Sequence, residues 1–168
     1  MEKHEILLQY CVYGKESDLP EKERSLLRQA VEAAKTAYAP YSAFCVGAAI
    51  LLENGEVITG SNQENAAYPS GMCAERVALY YASAKYPDVP VTTIAITAHA
   101  NDFRIEEPVT PCGSCRQVMA ETEMRFQKKI KLMMQADGGK IYITDGVFQI
   151  LPLMFHADKL KKKSGPWN

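Results

Sequence analysis

No segment of this 168-residue chain is apolar for long, neither sign of charge is in surplus, and the cysteines do not make an even set. The longest apolar run, Phe44 to Leu52, is nine residues, well short of the ~20 that a spanning helix needs. The opening MEKHEILLQY lacks the apolar core of a signal peptide. These gaps predict a soluble, cytoplasmic chain with no membrane partner. A net charge of −1 and a pI near 6.3 leave no basic stripe of the kind a long nucleic acid requires. A small-molecule substrate is therefore expected, and no nucleic-acid partner. The closing KLKKKSGPWN is the exception in charge, and its last part, 161–168, reads as a solvated basic tail. Five cysteines, at 11, 45, 73, 112 and 115, are an odd number in a chain too large to need stapling, so a disulfide framework is excluded in favour of metal or catalysis at the clustered ones.

What is present is enough for one compact domain: 47% of residues are hydrophobic, and the length suits a single core. After Pro20, the segment EKERSLLRQAVEAAKTAYA places Leu26, Leu27, Ala30, Ala34 and Ala37 at helical spacing behind an acidic first turn, predicting a helix over 21–38. Two apolar runs flank Asn54-Gly55, a hairpin signal that predicts strands at about 44–52 and 56–61. A helix over about 73–86, a strand at 92–98, a helix from Cys112, a strand in IKLMMQA and an extension at 140–143 follow. That order predicts an α/β protein, three layers α/β/α around a central mixed five-stranded sheet. Residues 1–20 show little pattern and read as an appended N-terminal arm.

Chemistry concentrates in two stretches, SGMCAERVAL and TPCGSCRQVMA. Cys112 and Cys115, three apart at a helix start, project to one side and can grip one ion. Cys73 adds a third thiol at another helix start, where the helix field favours the thiolate. Three thiolates suit zinc, and a site with only three protein ligands keeps a position for water. His99 reads as an ordinary surface or core histidine, and Cys11 and Cys45 as free thiols. Glu75 projects about 200° round the helix from Cys73, so it suits proton transfer with a bound water better than ligation. Zinc with three thiolates carries a net negative charge, which Arg76 and Arg116 could offset by donating hydrogen bonds to a thiolate.

C-A-E-R at 73–76 followed by P-C-x-x-C-R-Q at 111–117 resembles the cytidine deaminase family, in its small three-cysteine homotetrameric form. The similarity runs from about Tyr38 to Leu160, through YAPYSAFCVGAA, GSNQENAAYPSGMCAER, TPCGSCRQV and ILPLMF. It implies a deaminase domain over 21–160 in which Cys73, Cys112 and Cys115 bind one Zn²⁺ per subunit. Glu75 would carry protons while water adds at C4 of cytidine or 2′-deoxycytidine, giving the uridine product and ammonia, a step of pyrimidine salvage. Asn62 and Glu64 match the family's ribose contacts, Phe44 and Tyr68 its aromatic walls, and the backbone N–H of Ala74 a contact to the base. Phe155 matches an aromatic that completes a neighbouring subunit's site, making the homotetramer part of the chemistry; Leu153 stands where the family often has glycine.

Three other readings share some of these residues. A blasticidin-type or other nucleoside-analogue deaminase would use the same metal motifs on another substrate. A strand-editing deaminase would need a basic channel, which this composition does not offer. A non-catalytic zinc scaffold would knit two helices together with the three cysteines and have no use for Glu75.

Overall fold

The computed structural model describes residues 1–137 and 139–156, so the basic tail expected at 161–168 lies outside the described residues. The α-helices and strands of the described residues follow in chain order: β1 (Cys11–Tyr13), α1 (Glu21–Ala34), β2 (Phe44–Leu52), β3 (Val57–Ser61), α2 (Ala74–Lys85), β4 (Val91–Ala100), α3 (Gly113–Phe126), β5 (Lys131–Gln135) and β6 (Ile141–Asp145). Helix α1 starts behind Pro20, with Glu21 and Glu23 in its first turn, where carboxylates complement the helix dipole. It stops at Ala34, earlier than its apolar spacing predicts. The chain tightens there into i→i+3 turns at Thr36 and Ala37, and Tyr38 N–H turns away to Asn62 O at 3.0 Å.

The strands form one mixed sheet in the order β1-β6-β5-β4-β2-β3, with β4 and β5 parallel and every other pair antiparallel. The sheet has six strands rather than the expected five. The additional one comes from the N-terminal segment read as an arm: Cys11, Val12 and Tyr13 pair with Ile143, Tyr142 and Ile141 at the β6 edge. Three residues are too few to show a period of two, and only the unpaired edge of β6 makes them a strand. Tyr10 then packs its ring 5.0 Å from that of Tyr142.

Both faces of the sheet are covered, which is why the central strands read as continuous apolar runs rather than alternating ones. Ile50, Leu52, Ile94, Ile96, Leu132 and Met134 pack on one face against α2 and α3. The residues between them, Ala49, Ala95 and Met133, pack on the other against Leu26, Leu27 and Ala30 of α1. Small residues on the α1 face bring that helix close. A Cβ at Gly47 would lie 2.0 Å from Ala30 O and 2.5 Å from Ala34 N, both backbone atoms. On the opposite face a Cβ at Gly60 would meet Ala74 O and Ala78 N at 2.8 Å each, so β3 and the first turns of α2 also touch backbone to backbone. No helix of the described residues is long and apolar enough to cross a membrane.

Gly47→Ala should therefore push α1 off the sheet and lower the unfolding free energy by about 3 kcal/mol, the upper range for overpacking, read as a fall in urea midpoint. Gly14→Ala, whose Cβ would meet nothing within 4 Å, serves as the control and should leave the midpoint in place.

Candidate active site

Helices α2 and α3 point their N-termini at one place. Cys73 is the N-cap of α2 and Cys112 the N-cap of α3, while Cys115 lies in the first turn of α3, fully buried. The three Sγ atoms all fall within 4.8 Å of one another, with Cys73 to Cys112 at 3.9 Å and Cys112 to Cys115 at 3.5 Å. A tetrahedral zinc with Zn–S bonds of about 2.3 Å would hold its thiolates about 3.8 Å apart, so the cluster has the donor chemistry and spacing for one zinc ion. Among the described residues no further His, Cys, Asp or Glu ligand atom joins these three. His99, on β4, lies instead with Asp137, Nδ1 to Oδ1 3.6 Å.

Contact between the thiols moves Cys73 and Cys115 in opposite directions. The hydrogen bond from Cys115, with help from Arg76 and Cys112, holds the Cys73 thiol down to about 5, whereas the same contact and burial push Cys115 well up. Arg76 Nη2 stands 3.7 Å from Cys73 Sγ, and its Nε is buried with no partner among the described residues. Arg116 behaves otherwise than expected. It touches no thiolate: Nε donates to Pro111 O at 2.7 Å, Nη1 to Ile150 O at 2.6 Å and Nη2 to Thr110 Oγ1 at 3.0 Å. Three oxygen acceptors in its fork's reach outcompete sulfur, a weak acceptor. Glu75 is 4% exposed, and burial, with the Cys73 thiolate adding to it, pushes its carboxyl above the usual range.

A cavity of about 630 Å³ opens onto this cluster and is lined by Cys73, Cys112, Glu75 and Arg76 together with Phe44, Asn62, Glu64 and Tyr68. A short bridge network holds Gln63, Glu64 and Met72 in its lining. Gln63 exchanges both backbone hydrogen bonds with Met72 at 2.8 Å, and Glu64 N–H donates to Tyr38 O at 2.8 Å. Asn62 spans the start of β2, accepting from Val46 N–H at 2.7 Å and donating from Nδ2 to Phe44 O at 2.9 Å. Glu64 accepts from Tyr41 N–H at 2.8 Å, from Ser42 N–H at 3.3 Å and from the Ser42 hydroxyl, and the Ser42 hydroxyl bond first, then the backbone donors, holds its carboxyl below the ordinary range. Tyr68 stands at the rim, 79% exposed. Ala74 sits at the first position of α2, where a backbone N–H has no intrahelical acceptor. Phe155 is 67% exposed and does not line this cavity.

Sequence reasoning missed Phe103, which stacks on Phe44 with centroids 6.4 Å apart and planes 19° apart. It also missed Tyr41, Met72 and Val109 in the lining. No local signal marks them, because each is brought in by sheet register or loop path rather than by spacing.

Converging thiols, a buried carboxylate and a cleft at one end of an α/β/α sandwich define a zinc-dependent hydrolytic enzyme. The sequence profile of the cytidine and deoxycytidylate deaminase zinc-binding region matches residues 20–132. The chain belongs to the cytidine and deoxycytidylate deaminase family. It is 41% identical over 135 residues to a cytidine deaminase of Halalkalibacterium halodurans, covering 80% of this chain and 95% of that one. Its fold is similar to the crystal structure of cytidine deaminase from Burkholderia pseudomallei, with a TM-score of 0.69 at 34% identity over 82% of this chain and all of the other. It is also similar to that from Mycobacterium tuberculosis, with a TM-score of 0.63 at 27% identity over 82% and 99%.

Purified protein should carry one zinc per chain by metal analysis. Cys112→Ser, which removes a soft ligand and keeps the shape, should lower zinc retention at least about tenfold, whereas Cys45→Ser should retain it fully.

Proposed function

We propose that the protein hydrolyses cytidine and 2′-deoxycytidine to uridine and 2′-deoxyuridine with release of ammonia, as a step of pyrimidine salvage in the cytoplasm. The observation that carries this reading is Glu75: a carboxylate almost wholly buried, lining the same cavity as two thiols of the cluster. A scaffold that only tied α2 to α3 would leave that buried carboxyl without a task. The names of the relatives, all cytidine deaminases, support the choice of substrate.

Cys73, Cys112 and Cys115 hold the zinc, which supplies the Lewis acidity that makes water nucleophilic near neutral pH. Glu75 accepts the proton that water gives up as its oxygen joins C4, and places it on N3. It then carries the second proton to the exocyclic nitrogen, the C4–N bond breaks, and ammonia leaves. The Ala74 N–H, at the positive end of α2, holds the base by hydrogen bonding to it. Arg76 steadies the Cys73 thiolate from outside the ligand set. Glu64 has three of its roughly four lone-pair positions taken by Tyr41 and Ser42, leaving one for a ribose hydroxyl. Asn62 Nδ2 keeps its second hydrogen for the same sugar, and Phe44 and Tyr68 form aromatic walls. Phe155, exposed on its own subunit, completes the site of a neighbour in a homotetramer.

Glu75→Gln should keep its zinc and lose turnover by at least about 100-fold, the usual scale of general acid–base catalysis, followed as the loss of cytidine absorbance. Near-normal turnover would remove the proton carrier. Turnover of blasticidin S or of a cytosine-containing single strand, with cytidine untouched, would reassign the substrate. Phe155→Ala should also be impaired, and mixing it with Glu75→Gln subunits should restore activity, since mixed tetramers contain sites with both residues. Sedimentation should give four times the 18.7 kDa chain mass; a monomer would remove the role given to Phe155.

A further inference from the structure

Arg116 and Gln117 follow the buried Cys115 immediately, yet both reach away from the thiols to the C-terminal segment. The Arg116 guanidinium spans two parts of the chain at once. On one side it holds Pro111 O and Thr110 Oγ1, the residues directly before Cys112; on the other it holds Ile150 O. Gln117 Nε2 donates to Phe155 O at 2.7 Å. Ile150, Leu151 and Met154 also pack, partly buried, against the core on the α2 and α3 face, so the Arg116 and Gln117 hydrogen bonds add direction to a segment held by apolar contact. Ile150 and Leu151 N–H bond back to Val147 O, Leu153 is exposed with φ +55°, and Phe155 is exposed.

We infer that Arg116 is a positioning residue that couples the Cys112 loop to the C-terminal segment, so that holding zinc and docking residues 150–155 favour one another. Pro111 has no N–H and a restricted backbone, so fixing its carbonyl fixes the approach to Cys112. The acceptor of Nη1, Ile150 O, belongs to the segment that ends at Phe155. A planar fork can hold both carbonyls in fixed directions, whereas an ammonium on a flexible stem cannot. Coupling of this kind is reciprocal: whatever zinc gains from a docked segment, the segment gains from zinc. This inference rests on the zinc-site reading given above, and it assigns Arg116 a mechanical role rather than an electrostatic one toward the thiolates.

The test measures zinc affinity by competition with a chromophoric chelator, and amide exchange of the peptide 147–156, for the full-length wild type, Arg116→Ala and Arg116→Lys. Zinc removal from the wild type should speed exchange in that peptide. In Arg116→Ala exchange should be fast with or without zinc, and zinc affinity should fall about 10- to 100-fold, the usual effect of losing a partner behind a ligand. Arg116→Lys should resemble Arg116→Ala, because charge is kept and the fork is lost. Gln117→Ala, the milder change, should raise exchange partway and keep the zinc dependence.

Recovery of affinity in Arg116→Lys would show that charge is what matters and overturn the coupling. So would a C-terminal peptide that still responds to zinc in Arg116→Ala. Wild type with intact cysteines and no zinc would overturn the zinc reading and this inference together, which sets that failure apart from the other two.

Discussion

The structure depends on bringing two helix N-termini, and the thiols that cap them, to one point. Cys73 and Cys112 each stand where a helix leaves backbone N–H groups unpaired, so the local field favours sulfur in its charged form before any metal is considered. Like charges brought this close repel. The protein meets that by aiming Arg76 at Cys73 and by offering a donor set that a divalent cation satisfies. The fold is arranged to make the convergence possible: Gly60 lets α2 lie backbone to backbone on β3, and the parallel β4–β5 pair carries α3 across the same face as α2.

Around that point the cleft takes Phe44 and Val46 from β2, Glu75 and Arg76 from α2 and Ile96 from β4, and is completed by loops that hold each other. Tyr38 and Met72 grip the 62–64 segment from two sides, and Asn62 fixes the first residues of β2. Glu64 in turn is held by the 41–42 turn. The result is a carboxylate and an amide that line the same cleft as Cys73, Cys112 and Phe44. Arg116 draws the C-terminal segment into the same arrangement, so the segment that carries Phe155 is tied to the loop that carries Cys112.

Much of the fold was legible. The run Phe44–Leu52, the Asn54-Gly55 turn and the spacing of Leu26, Leu27 and Ala30 each carry a local period or a turn residue, and the strands and helix they predict are present within a few residues of the expected ends. The early stop of α1 and the strand at Cys11–Tyr13 were not legible, because each is decided by a partner far away in sequence: Asn62 for Tyr38, and the β6 edge for β1. The site divides the same way. The three cysteines announce themselves by spacing, and Phe103 does not, since nothing near it in sequence says that it will lie on Phe44.

By itself, the sequence determined the donor chemistry: which atoms could hold a soft cation, which carboxylate stood near them, and that both sat at helix starts, because helical spacing is a short-range property. Only the tertiary structure decided where those groups point and what they touch. It left Glu75 4% exposed, brought Cys73 to 3.9 Å from Cys112, and sent Arg116 to backbone carbonyls instead of sulfur. Those outcomes follow from long-range packing and from competition between acceptors in space, neither of which is written in the order of residues along the chain.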